Sequence, residues 1–173
     1  LHGANFRNGN TIPNLGDLAN GQDGSSVALL ADSASGGTFT NEITPITGGP
    51  QILDAQWYDA AASVMLATLI AIHDTGVATV EEVTPTQIRD AIVKTSDTAS
   101  GTPIAIGVGE FARAADLIAA GTPINFDGAS GPLDFDAVGN VKNIVVHWVV
   151  ENRVFVDRER YDCISAPSCP LIQ

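Results

Sequence analysis

The segment from Asp54 to about Asp74 constrains this chain more than any other. It is alanine-rich and free of glycine and proline, so the backbone favours helix. Trp57, Ala61, Val64, Met65, Thr68, Leu69 and Ile72 recur at helical spacing, and apolar residues cover nearly the whole circumference. Such a helix must be packed on more than one side, inside a layered protein. Gly76 supplies its left-handed stop. The apolar stretch Ala60–Ile72, broken by Ser63 and Thr68, falls short of the roughly 18 residues that cross a bilayer, so a buried helix is expected.

Two further helices are legible. Thr84-Pro85-Thr86-Gln87 combines an N-cap, a proline at the first helical position and a capping-box glutamine, and Ile88, Ala91 and Ile92 then form its buried stripe. A third runs from about Gly109 to Ala120, with Phe111, Ala114, Ala115 and Ile118 inward and Gly121 as its left-handed cap. Residues 1–26 are rich in Gly and Asn and suit loop with one short helix around Leu15–Ala19; Ser26–Leu30 is a strand candidate. Residues 31–50, with Gly36-Gly37, Pro45 and Gly48-Gly49-Pro50, read as a connector.

After Gly121 the pattern becomes extended. Pro132–Asp136 is short, Asp136–Asn140 is a turn, and Asn143–Val150 is apolar on both faces, which predicts a central strand. A tight turn at Glu151-Asn152 leads into Arg153–Val156, giving a hairpin, and residues 161–173 form an irregular tail. The helices are those that would cover a doubly wound sheet, yet strands are few. That imbalance predicts a piece of a larger α/β protein. The chain opens at Leu1 in a polar stretch with no signal peptide, and is expected to be a processed product, a fragment or part of a longer chain.

With 20 acidic and 8 basic residues among 173, the formal net charge is −12, which repels phosphate backbones and argues against a nucleic-acid partner. Cys163 and Cys169 are the only cysteines, without zinc spacing; a disulfide closing a tail loop fits an oxidising compartment, with two free thiols as the alternative. His2, His73 and His147 are scattered without metal-ligand spacing, and no nucleophile or phosphate-loop motif is present. Gly107-Val108-Gly109-Glu110-Phe111-Ala112 reads GxGxxA after Ile104-Ala105-Ile106, and Asp127 follows at about the 20-residue distance of a ribose-binding acid. Glu110, however, puts a carboxylate where pyrophosphate would bind, so a loop with a dipole-complementing glutamate is expected. Asp134-Phe135-Asp136 with Gly139-Asn140 lacks the remaining ligands of a calcium loop and reads as a turn. No metal, no cofactor and no catalytic constellation are expected.

The stretch Ile124–Val141, INFDGASGPLDFDAVGNV, resembles a C-terminal signature of type I periplasmic solute-binding proteins of the Leu/Ile/Val-binding class. Tyr58-Asp59-Ala60-Ala61 is similar to that family's Tyr-Asp-Ala helix. Gly109-Glu110-Phe111 with its helix and Gly121 is similar to the next segment, and Trp148–Val156 to the closing hairpin. These blocks agree in order over about residues 55–157.

The resemblance implies an α/β protein: the C-terminal portion of a two-lobed fold with three-layer α/β/α lobes and a hinge of crossovers. Residues 1–30 would end the second lobe, 31–53 form a crossover linker, 54–125 supply first-lobe helices, 126–160 return to the second-lobe hairpin, and 161–173 form the tail. The implied function is the extracytoplasmic, periplasmic receptor of an ABC transporter, binding a small amino-acid-like ligand between lobes and presenting it to a membrane permease. The family's first-lobe ligand loops are absent, so specificity does not carry over. Asp54, Gln56, Trp57 and Tyr58, at the hinge-side start of the long helix, are the candidate ligand-binding residues. The N-terminal half of the receptor or a partner chain is an expected partner. Two rivals are a structural or sensory surface subunit that reuses the fold and assembles with a partner chain, and a nucleotide-dependent enzyme on the GxGxxA match.

Overall fold

The computed structural model describes residue 7 and residues 10–28, 33–51, 53–96, 102–136, 139–164 and 168–172. The chain begins with a short helix, α1 (Thr11–Leu15), and a 3-10 turn over Gly16–Ala19, then β1 (Asp23–Val27). Leu29, Leu30 and His2 lie outside the described residues.

Residues 31–50 are more than the expected connector, because α2 spans Ala34–Thr47. Ser33 caps it, its hydroxyl accepting the Gly36 N–H at 3.0 Å, and Gly48 closes it at φ 83°. Glycines and Pro45 weaken a helix, but tertiary packing overrides them. Phe39 is buried against Ala55, Val108 and Ala129, and its ring meets Tyr58 at 5.4 Å. Pro45 sits near the exposed end, where water can take the carbonyl it leaves unpaired.

The long helix α3 covers Asp54–Thr75. By length and apolarity alone it could cross a membrane, but one face is packed in the core. That face is Ala55, Asp59, Ala62, Ser63, Leu66, Ala67, Ile70 and Ala71, not the bulky stripe read from the sequence. Trp57, Val64 and Met65 are 71 %, 47 % and 49 % exposed. Packing is therefore one-sided among the described residues. With apolar residues all round, periodicity could not choose a face; the small inner residues allow close approach of α4 and α5.

Helix α4 (Pro85–Ile92) starts as the sequence predicts, Thr84 Oγ accepting the Gln87 N–H and Gln87 Oε1 accepting the Thr84 N–H. Helix α5 (Phe111–Ala119) buries Ala114 and Ile118 with Leu117 beside them, whereas Phe111 points outward at 39 % exposure, because it stands at the first turn. The main core joins Leu66, Ile70, Ile106, Ile118, Ile124 and Phe126.

Two three-stranded sheets result. In the first, β2 (Ile104–Ile106) runs parallel to β3 (Ile124–Gly128), which pairs antiparallel with β4 (Gly131–Pro132). In the second, β5 (Ile144–Glu151) is central between β1 and β6 (Val154–Asp162), both antiparallel. The hairpin turn is Asn152-Arg153, both at positive φ (51° and 63°), one residue later than expected. The Arg153 N–H donates to Asn20 Oδ1, which holds an arginine in that backbone region. The tail is more ordered than expected. A Cys163–Cys169 disulfide folds it back, and along β6 the Asp162 N–H donates to the Pro170 carbonyl and the Ile172 N–H to the Arg160 carbonyl.

One buried carboxylate ties α3 to the turn after β3. Asp59, 3 % exposed, accepts the Ala129 N–H at 2.7 Å, the Ser130 N–H at 2.8 Å and the Ser130 hydroxyl at 2.6 Å. A Cβ at Gly128 would lie 2.5 Å from Asp59 Cγ, so only glycine fits there. Burial raises the Asp59 pKa and the three donors oppose that rise. At the other end of α3, Lys94 Nζ reaches Asp74 Oδ2 at 2.7 Å. That hydrogen bond, with His73 contributing, holds the Asp74 carboxyl below its ordinary value.

Asp59→Ala removes the acceptor and leaves buried donors unpaired, an expected loss of about 3 kcal/mol in urea unfolding. A change under about 1 kcal/mol would contradict this role. For Asp74 the folded pKa is depressed, so its contribution is complete above the ordinary 3.8 and is lost as pH falls through the folded value. Lys94→Met is expected to lower the urea midpoint slightly at pH 7, with the difference shrinking toward pH 3; the pair is half-exposed and the effect small. An equal difference at both pH values would refute it.

Candidate ligand-binding site

A cavity of about 540 Å³ opens between the β1-β5-β6 sheet and the start of α3. The sheet contributes Val27, Val146, Val154, Phe155, Asp157 and Arg160; the other wall is Pro50, Gln51, Leu53, Ala55 and Gln56. Leu53 stands at the helix start with φ 71°, which swings the chain sharply into α3 and presents residues 50–56 to the cavity. Arg7 reaches in from the N-terminal stretch. Its guanidinium pairs with Asp157 at 2.6 Å and lies 5.8 Å from the Phe155 ring centroid.

Arg160 is different. It is half-buried, it lines the cavity, and it has no ion-pair partner among the described residues. In a chain of net charge −12, a half-buried guanidinium without a carboxylate is a specific feature. Two arginines and one aspartate leave the cavity with local positive charge. The remaining lining is largely apolar, the make-up of a small-molecule site with a few orienting polar groups. Arginine's planar fork suits a carboxylate.

The structure scatters the four residues read from the sequence. Gln56 lines the cavity. The Asp54 carboxylate turns back to accept the Gln51 N–H at 2.8 Å, Trp57 is 71 % exposed, and Tyr58 packs on Phe39. Burial chiefly raises the Tyr58 pKa, against the backbone of Gly109. Arg7, Asp157 and Arg160 were not legible as site residues, because strand pairing and the hairpin bring them together from opposite ends of the chain. A basic residue on a strand of an acidic protein was the one available signal.

The GxGxxA loop is filled by its own side chains. The Gly107 N–H donates to Glu110 Oε2 at 2.8 Å, and the Val108 N–H donates to Ser35 Oγ at 3.3 Å. Glu110 also pairs with Arg113 at 2.7 Å, and the Gly107 hydrogen bond leads the causes that lower its pKa. The carboxylate holds the anion position that a pyrophosphate would need. Asp127 is raised by burial and by the charges of Asp59 and Asp134, a poor setting for another acid's role in ribose recognition. Asp136 Oδ1 accepts the Asn140 N–H at 2.8 Å and closes a turn. His147 lies between Asp23 and Glu159, each at 3.3 Å, and His73 beside Asp74. Among the described residues no group of three or more His, Cys, Asp or Glu side chains is arranged to hold a metal ion.

No family model matches the sequence, and no curated protein matches it. The fold is similar to that of a leucine-binding protein, LivK, from Thermotoga maritima, known from its crystal structure, with a TM-score of 0.58 and 21 % sequence identity. The match covers 91 % of this chain and 35 % of that one, so the chain spans about a third of the length of that protein. The chain is an α/β protein with the fold of part of a type I periplasmic-binding protein.

Proposed function

We propose that this chain is part of an extracytoplasmic solute-binding receptor of an ABC transporter, and that its ligand is a small amino-acid-like molecule whose carboxylate is held by Arg160. The observation that carries this reading is the cavity between the β1-β5-β6 sheet and the start of α3, with Arg160 lining it and without an ion pair among the described residues. The similarity in fold to a leucine-binding protein supports it, as does the Cys163–Cys169 disulfide, which suits an oxidising compartment. On this reading β1, β5 and β6 belong to the second lobe and α2–α5 with β2–β4 to the first, and residues 50–56 border the hinge. Asp54, Trp57 and Tyr58 then position the helix start, and Gln56 touches ligand. Binding needs a cleft and a hinge rather than an acid–base pair, so the protein is not an enzyme. Its membrane permease would read the closed form.

A second reading is favoured by one observation. Trp57, Ala61, Val64 and Met65 form an exposed apolar stripe along α3. Such a stripe marks an interaction surface. The remainder of the receptor or a partner chain would rest there, which also suits a structural or sensory subunit that assembles through this face.

Calorimetric titration with the common amino acids tests the leading reading. We expect one or a few branched or polar amino acids to bind, and Arg160→Met to weaken that binding about 10- to 100-fold through loss of a charge-assisted hydrogen-bonded pair. Binding unaffected by Arg160→Met, or no binding by any amino acid, would remove the support for a carboxylate-binding cleft.

A further inference from the structure

Asp157 and Arg160 stand three residues apart on β6, a spacing that puts side chains on opposite faces of an ordinary strand. The strand is not ordinary there. Trp148 lies opposite Asp157 and His147 opposite Glu159, so Arg158 is the extra residue of a β-bulge. The bulge shifts the alternation by one. Asp157 and Arg160 end up opposite Trp148 and Val146, both on the buried face of β5. A carboxylate and a guanidinium therefore line one cavity. Their settings differ. Arg160 has no ion pair among the described residues, whereas Asp157 already holds a cation. The Arg7 guanidinium lies 2.6 Å from the Asp157 carboxylate and 5.8 Å from the centroid of the Phe155 ring. An anionic oxygen and an aromatic face around one positive charge are the make-up of a cation-binding site.

We infer that Asp157 and Phe155 form a cation subsite of this cleft, that Arg7 fills it in the free chain, and that the ligand is a zwitterion whose ammonium takes the place of Arg7 while its carboxylate meets Arg160. The carboxylate half rests on the reading of the cleft given above; the cation half stands on the Arg7 contacts alone. The subsite is within reach of a ligand, since the side chains of Arg7 and Asp157 are 23 % and 39 % exposed. A pair so open to water is worth a factor of about 5 or less in an equilibrium, so an ammonium group displaces Arg7 at little cost. A simple anion gains Arg160 only, and a simple cation competes with Arg7 and makes no second charged contact. A zwitterion engages both charges at once. Bulges concentrate beside binding sites because they re-aim side chains, and this one brings the two charges to the same wall.

The probes are 3-methylbutylamine, which carries the cation alone, and L-leucine, which carries both charges, each followed by amide chemical shifts of the isotope-labelled chain. In Arg7→Ala the amine is expected to give saturable shifts around residues 155–157 with a Kd on the order of 1 mM, the scale for so few atoms. The unaltered chain is expected to bind it about 2- to 5-fold more weakly, because Arg7 competes. Adding Asp157→Asn to Arg7→Ala is expected to weaken the amine at least about 10-fold. Leucine is expected to bind Arg7→Ala about 2- to 5-fold more tightly than the unaltered chain, and Asp157→Asn at least about 10-fold more weakly. Both substitutions fall on partly exposed side chains, and amide shifts away from the cleft check that the variants fold. No amine shifts in Arg7→Ala, or amine shifts that survive Asp157→Asn, would overturn the cation subsite whatever leucine does. Weaker leucine binding in Arg7→Ala would make Arg7 a ligand-holding residue and end its role as occupant. Leucine binding that Arg160→Met weakens and Asp157→Asn does not would leave the carboxylate-binding cleft standing and remove this inference. Amine binding as expected with no leucine binding would overturn the zwitterion.

Discussion

The Asp59 carboxylate is the point on which the layout depends. It sits on the inner face of α3 and takes three donors from the Gly128–Ser130 turn, some 70 residues further along the chain. A buried charge is tolerable only when its lone pairs are filled, so helix and turn must meet in one register. That register fixes where β3 ends, where β4 starts and how the chain leaves the helical layer for β5. It also explains two sequence blocks at once. The Tyr-Asp-Ala of α3 and the Gly-Ala-Ser-Gly after β3 are two halves of one contact, and Gly128 is glycine because the carboxylate occupies the space of its Cβ.

With α3 anchored in this way, its N-terminal turn is carried to the edge of the β1-β5-β6 sheet, and the large cleft forms between them. The sheet draws its strands from both ends of the chain, so the arginines meet only after strand pairing. The disulfide-closed tail bonds to the backbone of Arg160 through Ile172, which steadies the strand that presents the guanidinium. Elsewhere several basic side chains are matched by carboxylates, as in Arg89–Asp90, Lys94–Asp74 and Arg113–Glu110, while Lys142 and Arg153 stand exposed; Arg160 differs in being half-buried. The GxGxxA loop follows the same rule, with Glu110 supplying the anion that its N–H groups attract.

Local chemistry was readable where it is self-contained. The Thr84–Gln87 capping box, the Gly76 stop and the two-sided apolar pattern of β5 each depend on neighbours in sequence, and each appears where the pattern puts it. Failures came where distant contacts outvote local preference. Residues 34–47 contain two glycines and a proline, yet they are helical because Ser33 caps them and Phe39 finds a buried niche. The inward face of α3 was misjudged because a helix apolar all round carries no phase; only the neighbours α4, α5 and β3 choose among its faces. The site was the least legible part: of the four residues named from sequence, Gln56 alone lines the cleft.

The sequence by itself determined the α/β class, the main helices, the central strand and the turn chemistry, since these follow from period, caps and glycine positions within a few residues. Only the tertiary structure decided which face of α3 is buried, that Asp59 reaches Ser130, and that Arg7 and Arg160 share one cavity. Those outcomes depend on side chains far apart in sequence meeting in a dry interior. There, burial and unpaired charge set the energies, and no local pattern encodes which groups will meet.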